Sequence, residues 1–298
     1  MVIHLKFALQ DGSVCPVGLR TDLVRLSERP WLRADRHQSI LQFCRCTCHR
    51  ISQKGTIIEI KPLVRKLGAF VALSAVELSV LETMHQRRRT FVAGRDLVHQ
   101  GQTEQAAYVL MTGWAYSYKL LANGERQIVD FQIPGDFLGL RSVLLHISDH
   151  SIAPVTDIEV TEVNLRDLLG AFDRTPRLAI AVLWAASRDE AMVVEHLVGI
   201  GRRDAAERMA HFLLELGSRL ALVGLGSKAG FACPLTQYLL ADALGLSAVH
   251  VNRVLRQLRE KGLLTFRDGQ VTFDNYGKLT EFADFDPTYL DQVGPILA

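Results

Sequence analysis

Thr236-Gln237-Tyr238-Leu239-Leu240-Ala241-Asp242-Ala243-Leu244-Gly245-Leu246-Ser247-Ala248-Val249-His250-Val251-Asn252-Arg253-Val254-Leu255-Arg256-Gln257-Leu258 is the stretch on which the fold turns. Thr236 opens an apolar-periodic segment that Gly245 closes, the expected pair of signals for the start and end of a short helix. Ser247 then has the chemistry of a second N-cap, and Val251, Val254, Leu255 and Leu258 follow at i, i+3, i+4 and i+7, the inward stripe of a second helix. Val249, Asn252, Arg253 and Arg256 share the opposite side, with His250 and Gln257 beside it. An amide and guanidinium groups on one exposed helical face suit base edges in a major groove, where Asn pairs with adenine and Arg with guanine.

Downstream, Leu263-Leu264-Thr265-Phe266 and Val271-Thr272-Phe273 flank Arg267-Asp268-Gly269-Gln270, a hairpin signal. Helix, glycine turn, helix and hairpin together spell a winged helix over 202–275. That span holds its charge excess early: residues 202–264 carry 9 Lys/Arg against 5 Asp/Glu. Gln237, at the start of the first helix, is placed with the backbone amides there to hold a phosphate.

Upstream, Thr175-Pro176 marks a helix start, and apolar or small residues recur from Leu178 to His196, so the helix extends over about 176–200. At about 1.5 Å per residue it is longer than a small domain needs, which makes it a spine or dimerisation helix. Before it, Gly94, Gly101, Gly113, Gly124, Gly135 and Gly139 punctuate short alternating runs, and Asn123-Gly124 is a strong hairpin signal. This pattern predicts an antiparallel barrel or roll of about eight strands ending near Val163. Residues 62–90 predict two short helices, the second capped by Ser74.

The chain has 298 residues, 48% apolar and 22% charged, with a net charge of +2. These values describe a globular chain of about two domains without a membrane span. Residues 1–61 differ, with 10 Lys/Arg against 5 Asp/Glu, and read as a basic, poorly ordered leader. Five cysteines, an odd number, and no signal peptide point to the cytoplasm.

Several stretches occur here in the order found in the Crp/Fnr family of bacterial transcription regulators, which residues 62–275 resemble. They are Leu97-Val98-His99-Gln100-Gly101, Val109-Leu110-Met111-Thr112-Gly113, Ile133-Pro134-Gly135-Asp136-Phe137-Leu138-Gly139, and Leu235 through Leu264. The resemblance implies an α+β chain. Its parts are an antiparallel jelly roll of the cyclic-nucleotide-binding type over 62–175, a dimerisation helix over 176–201, a winged helix-turn-helix over 202–275 and a tail over 276–298. It also implies a homodimer on a palindromic operator in double-stranded DNA, with RNA polymerase as a partner. The residues expected at the DNA are Gln237, Ser247, Val249, His250, Asn252, Arg253 and Arg256.

The chain departs from the family in three places. Members that answer to cyclic AMP carry a glutamate after the Gly-Asp-Phe segment and an Arg-Ser pair for the cyclic phosphate; here the matching residues are Leu140 and His150-Ser151. The carboxylate for a ribose hydroxyl and the guanidinium for a phosphate are absent. The matching point of the long helix reads Val193-Val194. The pocket formed by Gly139, Leu140, His150, Ser151, Val193 and Val194 is therefore expected to be apolar, and its effector, where one exists, to be a small molecule other than cyclic AMP. His150 and Ser151 could hold an anion, or simply form a surface loop.

Cys44-Arg-Cys46-Thr-Cys48-His49 invites comparison with the family's iron–sulfur sensors. However, its alternating spacing is too tight, no cysteine lies between 48 and 233, and a zinc site there would strain to close a tetrahedron. No metal and no cofactor are assigned. Lastly, at the second exposed position of the recognition helix Val249 replaces the glutamate common in the family, exchanging a cytosine contact for one that could meet a thymine methyl.

Two other classes compete with this reading. A cupin-like enzyme needs a closely spaced His-x-His in the roll, and the roll offers only His99, His146 and His150. A sensor module that binds a protein instead of DNA would leave the Asn252/Arg253 face without a base to read.

Overall fold

The computed structural model describes residues 62–103, 106–145 and 147–290. The expected leader 1–61, with Cys44, Cys46, Cys48 and His49, lies outside the described residues, as does His146. The chain enters through α1 (Pro62–Gly68) and α2 (Ala75–Met84). Ser74 and Glu77 make a reciprocal capping box at the start of α2, satisfying two N–H groups that would otherwise be orphaned.

Among the described residues seven strands build the roll: β1 (Arg88–Phe91), β2 (Ala107–Thr112), β3 (Ala115–Leu120), β4 (Arg126–Gln132), β5 (Phe137–Leu138), β6 (Ser151–Pro154) and β7 (Ile158–Val163). They form two antiparallel sheets, ordered β1-β7-β2-β5 and β4-β3-β6. Isolated bridges, Val98 to Ile152 and Thr103 to Ile147, extend the pairing in place of the expected eighth strand. Leu110, Ala115, Leu138, Ile152 and Val160 fill the space between the sheets. A short α3 (Leu140–Leu145) interrupts the roll between β5 and β6.

After α4 (Leu165–Arg174), Pro176 at the first turn starts α5 (Pro176–Arg202), 27 residues long. One face, with Leu178, Ala181, Val182, Ala185 and Met192, is buried against the described residues. Leu183, Val194 and Leu197, the last 70% exposed, lie outside that buried face. No helix among the described residues is long and apolar enough to cross a membrane.

The C-terminal domain, called the reader domain for the DNA-reading role expected of it, starts at α6 (Ala205–Leu222), whose Asp204 and Glu207 form a second capping box. It continues through β8 (Gly226–Ser227), β9 (Gly230–Ala232), α7 (Gln237–Leu244), α8 (Ala248–Glu260), β10 (Thr265–Arg267) and β11 (Gln270–Thr272). The small sheet runs β10-β11-β9-β8. Residues 276–290 are not a tail. Asn275 caps α9 (Tyr276–Phe282), and Leu279, Ala283, Phe285 and Leu290 are buried in the same core as α6 and α8.

Within that core, α5 and α6 are joined by a buried ion pair, His196 Nε2 to Glu215 Oε1 at 2.9 Å, and Tyr289 Oη donates to Glu215 Oε2 at 2.8 Å. Burial alone would lower the imidazole pKa, but the Glu215 carboxylate outweighs it and holds His196 up at about 9. Burial would likewise raise Glu215, and His196, with Arg219 and Tyr289 behind it, brings the carboxyl down to about 2. The imidazolium's contribution to stability is complete below its unfolded value of 6.5 and is lost as pH rises through about 9. The carboxylate's is complete above 4.5 and is lost as pH falls toward 2. Glu215→Gln should therefore destabilise by about 3 to 5 kcal/mol near pH 6, since it leaves His196 and Arg219 with less counter-charge. It should also flatten the decline in thermal midpoint between about pH 6.5 and 9. Thermal unfolding of both proteins across that range checks it, and an unchanged slope would show that the pair does not carry the alkaline loss.

Candidate nucleic-acid interface

The reading helix is positioned by three local devices. Thr236 Oγ1 accepts the Leu239 N–H at 3.3 Å and begins α7. Gly245 ends it in the left-handed region at φ 64°, where the chain reverses and Leu246 N–H returns to the Ala241 carbonyl at 3.0 Å. Ser247 Oγ then accepts the His250 N–H at 3.2 Å and begins α8. Val251, Val254 and Leu258 are buried, and Leu255 is half-buried. This locks the rotation of α8 and leaves Val249 (83% exposed), Asn252, Arg253, Arg256 and Gln257 facing outward.

The candidate residues are not equivalent. Arg253 has no hydrogen-bond or ion-pair partner among the described residues, whereas Arg256 Nε is paired with Glu260 Oε1 at 2.7 Å along the helix. His250 is half-buried beside the face, and Ser247 is occupied in capping. Gln237 is exposed at the first turn of α7, one residue after the cap.

The wing is a tight hairpin, with Arg267 paired to Gln270 and both turn residues at positive φ, Asp268 at 51° and Gly269 at 71°. It places Arg267, exposed and not singled out from sequence, beside the turn at the tip of the wing. The only sequence signal for it is that it directly precedes the Asp-Gly turn.

A cavity of about 490 Å³ opens between the roll and α5. Gly139, Leu140, His150 and Val193 line it; Ser151 and Val194 do not. Ser151 Oγ accepts the Gln100 N–H at 2.9 Å, and Val194 is exposed on α5. The pocket is not wholly apolar: apolar surface predominates, but Asp130 and Asp136 from the roll, Asp189 and Glu190 from α5, and Arg141 also line it.

Nor are His150 and Ser151 a surface loop, for both are buried. His150 Nδ1 lies 2.7 Å from Asp149 Oδ1, and Arg141 Nη2 reaches both Asp149 oxygens at 3.1 Å. Partial burial raises the Asp149 pKa, but the hydrogen bond from His150 and the charge of Arg141 bring it below its ordinary value. Arg141 and His150, which line the cavity, are thus already engaged by a carboxylate of the chain itself.

A β-roll joined through a long helix to a winged helix with an exposed amide and guanidinium face is the architecture of a DNA-binding transcription regulator. Residues 207–282 match a Crp-like helix-turn-helix domain, and residues 88–175 match a cyclic nucleotide-binding domain. The nitrogen fixation regulation protein FixK of Rhizobium meliloti is 31% identical over 183 residues, covering 61% of this chain and 79% of that protein. Its namesake in Bradyrhizobium diazoefficiens is 30% identical over 210 residues, covering 70% and 86%. The solved structure of FixK2 from Bradyrhizobium japonicum superposes with a TM-score of 0.59 at 28% identity, covering 65% of this chain and 96% of that one. The chain belongs to the Crp/Fnr family of transcription regulators. With these relatives the cupin-like enzyme reading falls.

Substituting Arg253→Ala should cost about 1 to 3 kcal/mol of operator affinity and relax specificity at one base pair. Arg256→Ala should cost less, because its guanidinium must first leave Glu260. Binding isotherms on operators varied one base pair at a time check both, and equal losses for the two variants would contradict this ranking.

Proposed function

We propose that the protein is a homodimeric regulator that reads a palindromic operator with α8, its two copies joined along α5. The observation that carries this reading is the outward face of α8, where the Val249, Asn252 and Arg253 side chains are exposed and without a hydrogen-bond or ion-pair partner among the described residues, while the buried stripe fixes their direction. Asn252 offers the bidentate pattern for adenine, Arg253 that for guanine, and Val249 an apolar contact for a thymine methyl. His250 flanks them, Gln237 and the first turn of α7 hold a phosphate, and Ser247 keeps the helix start in place.

The dimer is supported by the exposed apolar residues Leu183, Val194 and Leu197 on α5. Two-fold symmetry then demands half-sites one helical turn, about 34 Å, or a multiple of it apart. The cavity is the place for a small-molecule effector, and Leu140 and His150, standing where cyclic-AMP-responsive members carry a glutamate and an arginine, disfavour cyclic AMP in that role. RNA polymerase is the partner on which a regulator of this kind acts, and the cytoplasm is where it does so.

A selection of bound sequences from random duplexes, with purified protein at stated salt and with or without residues 1–61, tests the reading. The expected outcome is one palindromic motif recovered from both proteins. Enrichment of no motif by either would favour the competing class, a module that binds another protein.

A further inference from the structure

The C-terminus of α7 is held by side chains of the roll and of α6, one residue after another. On strand β4 of the roll, Arg126 Nε and Nη2 both donate to Asp242 Oδ2, at 2.8 and 2.5 Å. The next residue on the strand, Gln127, donates through Nε2 to the Ala243 carbonyl at 3.1 Å. Arg208, at the start of α6, donates through Nη1 to the Leu244 carbonyl at 2.6 Å, and through Nε and Nη2 to Gly199, Ile200 and Arg203 carbonyls at the end of α5. The last carbonyls of a helix have no partner inside it, so these side chains complete α7 from the roll and from α6.

Arg126 is itself tightly placed. Nη1 donates to Tyr116 Oη at 2.9 Å, and the guanidinium carbon lies 5.1 Å from the Tyr116 ring centre and 5.7 Å from that of Tyr118. Two aromatic faces fix the fork before it meets the carboxylate, which limits the side-chain entropy lost in the pair. Immediately after Leu244 come Gly245 and the turn into α8. Any tilt of the α7 terminus is therefore passed directly to the recognition helix. The same strand also walls the cavity, through Val129, Asp130 and Gln132.

From this geometry we propose that Arg126 and Gln127 are positioning residues for DNA recognition. They use strand β4 to set the angle of the recognition helix from the sensor roll, along a route separate from the long helix. The proposal rests on the assignment of α8 as the reading helix. Neither side chain needs to touch DNA, so the signature is a loss of discrimination and not of general affinity.

The test is fluorescence anisotropy with the full chain at fixed salt, on a duplex carrying the selected palindrome and on a scrambled duplex of the same composition. Arg126→Ala should weaken the palindrome complex about tenfold, the order expected for a charge-assisted contact. It should leave the scrambled complex within about twofold, since general affinity follows net charge, which changes by one. Gln127→Ala, a milder change that keeps all charges, should move the ratio in the same direction. The reversal Arg126→Asp with Asp242→Arg keeps net charge and should recover most of the ratio, which a purely structural loss would not.

A palindrome-to-scramble ratio unchanged in both single variants, or raised by them, overturns the proposal, as does a reversal variant no better than the singles. Arg253→Ala in the same assay separates the two levels of the argument. If it loses the ratio while Arg126→Ala keeps it, only the positioning role falls; if it too keeps the ratio, the reading face falls with it.

Discussion

Arg219 is the charge on which the rest of the molecule depends. Its side chain is 2% exposed and lies on α6, yet its partners belong mostly to the roll: Asp130 Oδ1 at 3.1 Å, the Phe131 carbonyl at 2.8 Å and Asp136 Oδ2 at 2.8 Å. Lys66 on α1, equally buried, takes the other oxygen of Asp136 at 2.7 Å. Burial alone would keep a carboxylate protonated, but two cations and the Ile133 N–H hold Asp136 far below its ordinary range. Taking any one of these groups out of water without its partners is strongly unfavourable, so the roll, the entry helix and the first helix of the reader satisfy each other only when assembled together. The position of β4 follows from this, and with it the wall of the cavity and the seat of α7.

The elements that sequence reading resolves well are those whose determinants are neighbours in the chain. Thr236, Gly245 and Ser247 bracket the two helices of the reader within a dozen residues, and Asp268-Gly269 admits little but a tight hairpin. Ser74 and Pro176 start their helices for equally local reasons. The outward face of α8 was legible too, because helical periodicity decides which residues can be buried and leaves the others at the surface.

What escaped the reading depends on pairs far apart in sequence. Lys66 and Asp136 are 70 residues apart, Asp136 and Arg219 are 83, and Arg126 and Asp242 are 116. Nothing in local pattern distinguishes these residues from solvated surface charges. The charged groups of the cavity escaped for the same reason: the residues compared with the family loop are apolar or neutral, whereas its acids come from β4, from the turn before β5 and from α5. Residues 276–290 were set aside although Asn275 is a cap and Leu279 and Ala283 are spaced for one helical face, because the winged helix was already complete without them.

Cys233 sits between the small sheet and α7, buried and followed by Pro234. Burial pushes its thiol up to about 12, against which a hydrogen bond from Leu235 does little. Oxidants and electrophiles attack the thiolate, and at neutral pH this sulfur is almost wholly protonated as well as shielded. The reading domain is thus chemically quiet. Disulfide stress finds no reactive thiol among its described residues, and a thiol-based response of the protein would have to come from elsewhere in the chain.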